Sequence, residues 1–432
     1  MNILAVCPPA YDFACYDLWL KPLGFLHILS FLKSKGHNII YFDFLDRFHP
    51  LLKKSGIQLK SNEYGCGKFY FEIVEKPPVY SHIKRRYKRY GIPLQLFEEF
   101  LNDKNLKIDL ILITSSLSYW YLGIKEIVQF LRKRFKNVKI ILGGNYAILC
   151  REHAQKTLEV DFISSDYAGL DFFNYLKMKV TEKDIFEQTP LYQVYENLEY
   201  VALRTSWGCP FNCKFCGVKL MYKKFYQKSY KKVFSEIEYF YKKGVRNIAF
   251  YDDALLFKNE NLKSLLELIL VKNLNLKIHT PNGLHARFLD KDLAFLMKKA
   301  GFVMPRISYE SSDAKIINKF SNKVTKEEFI KCIENLQKAG FKKGEYGVYL
   351  CFGFPSQDFE RLKSDIVFCH NLGCKIFLAD FSPVPKTDYS FKLNTENEPL
   401  LQNNSIFPAV KKEDLNVIYE IKNMVKELNK KF

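Results

Sequence analysis

The chain has 432 residues, 48% of them hydrophobic and 26% charged, which supplies core for two or three domains and excludes a disordered polymer. Its 66 Lys and Arg outnumber 47 Asp and Glu for a formal charge of +19, but 54 of the 66 are Lys, in a chain also rich in Ile, Asn, Phe and Tyr; residues with AT-rich codons dominate, so the lysine reads as solvated coating rather than a nucleic-acid surface. No stretch reaches the roughly 18 to 20 apolar residues of a membrane span, Met1 runs into a strand without a basic signal-peptide region, and eleven cysteines, an odd number, suit a reducing cytoplasm better than a disulfide framework.

Ile3-Leu4-Ala5-Val6 is continuously apolar, the pattern of a strand buried on both faces, and it breaks at Cys7-Pro8-Pro9. A helix is predicted over 23–35, closed by Gly36, and then a strand at Ile39-Ile40-Tyr41-Phe42. Residues 46–105 fit no regular unit. Within them Lys84-Arg85-Arg86-Tyr87-Lys88-Arg89-Tyr90 is the densest basic run, read as a solvated helix face, with contact to phosphate or an anionic cofactor tail as the alternative. A strand at Leu110-Ile111-Leu112-Ile113, a helix over 122–135 and a strand at Lys139-Ile140-Ile141-Leu142 follow. Strands alternating with helices predict an α/β, doubly wound, Rossmann-like parallel sheet over residues 1–180, with ligands at the carboxyl ends of the strands. The loops Cys7-Pro8-Pro9, Thr114-Ser115-Ser116 and Gly143-Gly144-Asn145 fall at that edge.

From 195 to 395 six further strand candidates alternate with helical patterns, at 200–205, 247–251, 276–280, 306–310, 347–352 and 375–380, which predicts a partial (β/α)6 barrel with its reactive face at the strand ends. The first of these strands leads into Ser206-Trp207-Gly208-Cys209-Pro210-Phe211-Asn212-Cys213-Lys214-Phe215-Cys216. Gly208 and Pro210 favour a loop able to wrap a bulky centre. Three thiolates can hold three irons of a cubane cluster and leave the fourth open to a ligand, whereas an electron carrier uses four. A structural zinc site wants four ligands, and neither a second Cys-x-x-Cys nor a His pair follows. The tail, 396–432, holds an amphipathic capping helix over 411–430, with Leu415, Ile418, Ile421, Met424, Val425 and Leu428 at helical spacing.

The Cys-x3-Cys-x2-Cys pattern, with Phe215 before its last cysteine, resembles the signature of the radical S-adenosylmethionine (SAM) superfamily. The first region resembles the cobalamin-binding domain found upstream of the radical core in many members, on its Pro-Pro loop, Pro22-Leu23-Gly24, Gly36-His37 and the Gly143-Gly144 turn. The Asp-x-His-x-x-Gly cobalt-ligating motif is absent, which in this branch implies cobalt without a histidine beneath it, or a domain that has lost cobalamin. The resemblance implies a [4Fe-4S] cluster on Cys209, Cys213 and Cys216, SAM on the open iron, and cobalamin over Gly143 and Gly144. It places the SAM ammonium at Asp252 and Asp253, for which helix capping is the alternative reading, the ribose at Ser308 and Glu310, and the adenine at Gly353 and Pro355. Asn282 and Arg287, with His285, are assigned to the SAM carboxylate or to substrate, against plain turn chemistry in Pro281-Asn282-Gly283. No residue is assigned as an acid or base.

The implied activity is reductive cleavage of SAM to a 5′-deoxyadenosyl radical, coupled through cobalamin to methyl transfer or rearrangement. A cobalamin-free radical enzyme acting on RNA or a small metabolite shares the same cysteines. A non-catalytic iron–sulfur or zinc module binding RNA is the reading from another class. A small-molecule substrate is expected over nucleic acid, with electrons from an external donor such as flavodoxin or ferredoxin and no membrane.

Overall fold

In the computed structural model, residues 1–103, 107–317, 324–393, 395 and 397–432 are described. The chain forms two compact units, Met1–Glu199 with Asn394–Ile406, and Tyr200–Leu393 with Phe407–Phe432.

In the first unit β1 (Asn2–Cys7) runs into the short β2 (Ala10–Asp12), helix α1 (Leu23–Ser34) and β3 (Asn38–Asp43). Ile3, Leu4, Ala5 and Val6 have no exposed surface, as a strand covered on both faces requires. Gly36, at φ +82°, ends α1: its N–H bonds to the Lys33 carbonyl and that of His37 to Leu32. The strands β4 (Phe71–Ile73) and β5 (Lys88–Tyr90), helix α2 (Leu94–Asp103), β6 (Leu110–Ile113), α3 (Tyr121–Arg134), β7 (Lys139–Leu142) and β8 (Phe162–Ile163) complete it. The sheet order is β8-β7-β6-β1-β3, parallel throughout, with Ile3 opposite both Ile39 and Leu110. This is the doubly wound sheet expected from the alternating pattern.

The segment 46–105 supplies β4 and β5, which join β2 in an antiparallel sheet of order β2-β5-β4. The basic run around residues 84–90 is therefore not a solvated helix face. Arg89 is 3% exposed, and its Nε donates to both Glu126 oxygens at 3.0 Å while Nη1 donates to the Ile92 carbonyl at 2.9 Å. The expectation fails because the run is not helical: its end forms β5, with Tyr87, Arg89 and Tyr90 buried, and Lys84, Arg85 and Arg86 lie exposed before it.

The returning segment 399–406 is built into the same unit. Asn403 Nδ2 and Trp120 Nε1 donate to the two oxygens of the buried Asp12, at 3.0 and 2.9 Å, and Ser118 Oγ donates to Gln402 Oε1 at 2.5 Å. Burial pushes the Asp12 carboxyl up, opposed by these hydrogen bonds.

The second unit alternates β9 (Tyr200–Leu203), α4 (Tyr230–Lys242), β10 (Asn247–Phe250), α5 (Glu260–Val271), β11 (Lys277–His279), α6 (Lys291–Lys299), β12 (Arg306–Glu310), α7 (Lys326–Lys338), β13 (Gly347–Phe352), α8 (Phe359–Asn371) and β14 (Lys375–Asp380). All six expected strands are present. They form two parallel arcs, β9-β10-β11 and a four-stranded arc in which Leu284–His285 precedes β12-β13-β14, joined by a parallel bridge between Ile278 and Phe302. Helix α9 (Leu415–Asn429) buries Ile418, Ile421 and Val425, and its Asn429 side chain exchanges two hydrogen bonds with Ile376, at 2.8 and 2.9 Å, satisfying the open edge of β14.

Candidate functional site

In the second unit the three cysteines sit on the loop that leaves β9 through Ser206 and Trp207, which pair antiparallel with Gln227 and Tyr226. Cys209, Cys213 and Cys216 are half-buried, and the Cys216 N–H closes a turn onto the Cys213 carbonyl at 3.0 Å. Two aromatic contacts clamp the loop. Phe211 stacks on His285, with ring centroids 4.8 Å apart and planes 15° apart, and Phe215 meets Phe354 edge-on at 6.0 Å. Cys213 and Phe215 pack on a cluster of Ile316, Cys351, Phe354, Phe381 and Tyr389. Phe215 thus reaches the Gly353-Phe354-Pro355 segment expected to face adenine. There Gln357 bridges the turn, donating to the Cys351 carbonyl at 2.7 Å and accepting from the Phe354 N–H at 3.2 Å. Gly353 lies at φ +70°, where a Cβ would come within 3.1 Å of Phe407.

The acidic pair after β10 turns inward. Asp252 is 2% exposed; its carboxylate accepts from the Thr205 N–H, from Thr205 Oγ1 at 2.7 Å and from Ser206 Oγ at 2.6 Å. Burial pushes this carboxyl up and the hydrogen bonds from Ser206 and Thr205 oppose it. The Asp252 carboxylate, which the resemblance assigns to an ammonium, is thus engaged at the strand end, and its backbone carbonyl accepts from Asn282 Nδ2 at 3.0 Å. Asp253 Oδ2 pairs with Arg204 Nη1 at 2.9 Å and accepts the Gly208 N–H at 3.2 Å.

The Arg287 guanidinium binds Glu328 near the N-terminus of α7, with Nε to Oε1 at 2.8 Å. Glu328 belongs to the capping box of that helix with Thr325, so a surface acid was already placed to capture the arginine.

At β12 the register against β13 shifts between Ser308 and Glu310, and Glu310 takes φ +70°. A non-glycine residue held there stores backbone strain, which concentrates at functional sites. Tyr309 stacks on Phe329 of α7 at 4.5 Å, so alternation sends Ser308 to the opposite face. Ser308 lies so close to Gly283 that a Cβ there would stand 1.9 Å from its hydroxyl. The glycine of Pro281-Asn282-Gly283 is thus required by packing. Tyr349 donates to the Pro281 carbonyl at 2.7 Å and fixes the same turn.

In the first unit Gly143 and Gly144 divide the role assigned to them jointly. A Cβ on Gly143 would meet only the Ser164 Cβ, at 4.0 Å, which leaves open space beside the backbone. A Cβ on Gly144, at φ +91°, would fall 2.3 Å from the Ser115 carbonyl oxygen. Ser115 Oγ meanwhile donates to the Gly143 carbonyl at 2.7 Å and accepts from the Tyr146 N–H at 3.1 Å. Gly144 is therefore consumed by the close approach of two loops, and the open backbone is that of Gly143.

Among the described residues no group of three or more His, Cys, Asp or Glu side chains converges closely enough to hold a single metal ion. A cubane takes one thiolate on each of three separate irons, so the spread of three thiols along one loop fits it. Sequence reading missed Arg204, Phe211 and Gln357. Arg204 had a signal, a lone basic residue at the end of the strand entering the cysteine loop, whereas the partners of Phe211 and Gln357 are tertiary.

Residues 204–369 match the family model described as Radical SAM superfamily, so the second unit carries a radical SAM domain. A curated relative, "Uncharacterized methyltransferase PH0819" of Pyrococcus horikoshii, is 26% identical over 180 residues, 41% of this chain and 38% of its own length; the match spans under two-fifths of that protein. Among solved structures, the radical S-adenosylmethionine methyltransferase TsrM from Kitasatospora setae, with tryptophan substrate and a SAM analogue bound, aligns with a TM-score of 0.64 and 11% identity over 91% of this chain and 76% of that one. The cobalamin-dependent SAM radical enzyme OxsB, with aqua-cobalamin and SAM bound, aligns with a TM-score of 0.59 and 12% identity over 94% of this chain and 56% of its own. At these identities the likeness is one of fold: a parallel α/β sheet followed by a radical SAM barrel. No helix among the described residues is long and apolar enough to cross a membrane.

Proposed function

We propose that the chain is a cobalamin-dependent radical SAM enzyme, a methylase or rearrangement enzyme, acting on a small molecule. The observation that carries this is the cysteine loop clamped between His285 and Phe354 at the mouth of a partial barrel, in one chain with a doubly wound sheet whose Gly143 backbone is open at the carboxyl edge.

Cys209, Cys213 and Cys216 would hold the cluster and Gly143 would make room for the corrinoid. When bound, the cluster and SAM supply a carbon radical from reductive cleavage, and cobalamin supplies a methyl carrier. The chain's own residues orient. Phe211 and Phe215 fix the loop on two sides, Glu310 offers a carboxylate that can accept from both hydroxyls of a ribose, and Gln357 holds the turn that would flank the adenine. Electrons would come from an external donor such as flavodoxin or ferredoxin in a reducing cytoplasm.

Anaerobic reconstitution with iron and sulfide, followed by hydroxocobalamin, tests the reading. The wild type should hold about four irons and near one equivalent of cobalamin, and replacing the three cysteines with alanine should remove the iron and sulfide. A chain that cleaves SAM with a complete cluster but takes up no cobalamin is instead a cobalamin-free radical enzyme.

A further inference from the structure

We propose that Asp253, held by Arg204, is a positioning residue for the cysteine loop: its carboxylate fixes the backbone entry to Cys209. Gly208 immediately precedes that cysteine, and its N–H donates to Asp253 Oδ2 at 3.2 Å. The same oxygen takes the Arg204 guanidinium at 2.9 Å, and Arg204 Nη1 also donates to the Tyr222 hydroxyl at 3.2 Å. The pair is shielded, with 12% and 11% of the two side chains exposed, so water competes weakly with it. From the other side Gly208, at φ +81°, is closed in: a Cβ would stand 3.0 Å from the Lys224 carbonyl and 3.3 Å from Tyr222. Asp252 meanwhile binds Thr205 and Ser206. Two adjacent carboxylates thus hold polar groups of Arg204, Thr205, Ser206 and Gly208, four of the five residues leading into Cys209. Both carboxylates follow β10, which pairs in register with β9, Leu203 opposite Phe250, so the sheet itself brings Asp253 to the loop entry.

The proposal rests on the reading that the three cysteines carry a cluster. It is tested on the full chain, reconstituted anaerobically with iron and sulfide, as wild type, Asp253→Asn, Asp253→Ala and Arg204→Gln. Asp253→Ala and Arg204→Gln should lose iron to a chelator about tenfold faster than wild type and give an altered electron paramagnetic resonance signal from the reduced cluster. Asp253→Asn keeps an acceptor for Gly208 and should fall between, with the melting curve of the cluster-free chain unchanged; it decides the matter if the alanine variant fails to fold. A positioning role predicts SAM affinity within about twofold of wild type in each loaded variant, whereas the ammonium-binding role that the resemblance implies for Asp253 predicts a loss of tenfold or more, ~1.4 kcal/mol. Iron retention and resonance signal identical to wild type in all three variants overturns the proposal, as does a tenfold loss of SAM affinity with iron retention unchanged. A wild-type chain that takes up no iron overturns the cluster reading and this proposal together.

Discussion

Phe215 stands edge-on to Phe354, their ring centroids 6.0 Å apart and their planes at 90°, so the aromatic residue before the last cysteine touches the turn that follows the fifth barrel strand. Because such aromatic pairs contribute roughly 0.5–1.5 kcal/mol beyond area burial, Phe215→Leu, Phe354→Leu and the double variant should show a coupling of that size in urea unfolding of the cluster-free chain. Additive losses would mean that the two rings pack independently and this contact adds nothing to the hold on the loop.

The two glycines after β7 should respond oppositely. Gly144→Ala drives a Cβ into the Ser115 backbone at 2.3 Å and demands a left-handed conformation from alanine, which should cost about 2 kcal/mol or more. Gly143→Trp meets open space and should fold with near wild-type stability while abolishing hydroxocobalamin uptake and sparing the cluster. Full cobalamin uptake by a folded Gly143→Trp protein would remove Gly143 from the ligand site.

How far the sequence announces this architecture depends on where each element finds its partners. Leu110–Ile113 and Lys139–Leu142 are strands at the bounds read from their apolar runs, because strands covered on both faces are apolar at successive positions whatever their neighbours. The cysteine loop is legible because its chemistry is local. Residues 46–105 are not, since β5 pairs with residues 10–12, nearly eighty positions away, and three-residue strands carry too little alternation to register. The insertion of 399–406 into the first unit rests on single side chains such as Asn403 and Gln402, which have no pattern at all. That Asp252 and Asp253 follow a strand is legible, but their contacts with Thr205, Ser206 and Arg204 across the sheet are tertiary and carry no sequence signal.

Arg287 should prove dispensable for SAM. Burial alone would raise the Glu328 carboxyl, but hydrogen bonds from Arg287 and the Thr325 N–H, with the adjacent positive charge, more than offset it and hold it below its ordinary 4.5. A depressed carboxylate stabilises the fold above its unfolded value, and that contribution disappears as the pH falls through the folded value. Arg287→Ala should therefore cost about 0.5 kcal/mol at neutral pH, as expected of a half-exposed pair, and the two melting curves should converge as the medium is acidified below 4.5. SAM affinity measured by calorimetry should not change; a tenfold loss would return Arg287 to the ligand site.

Glu310 offers the sharpest separation between stability and binding. Its φ of +70° and the register shift against β13 put a long acidic side chain in a conformation that suits glycine. The ribose contact proposed for the carboxylate would account for a glutamate at a position whose backbone suits glycine. Glu310→Gly should relax the backbone and raise unfolding stability by up to about 1 kcal/mol, with part of the gain lost to the greater entropy of the unfolded glycine chain. The same change should weaken SAM by about 1–3 kcal/mol through loss of charge-assisted hydrogen bonds to the ribose, with iron content intact. Glu310→Ala keeps the strain and should lose the binding without the gain in stability. Calorimetry on cluster-loaded protein, set beside urea unfolding of the cluster-free chain, reads both quantities. Unchanged SAM affinity in both variants would reduce the bulge at Glu310 to a packing feature of β12.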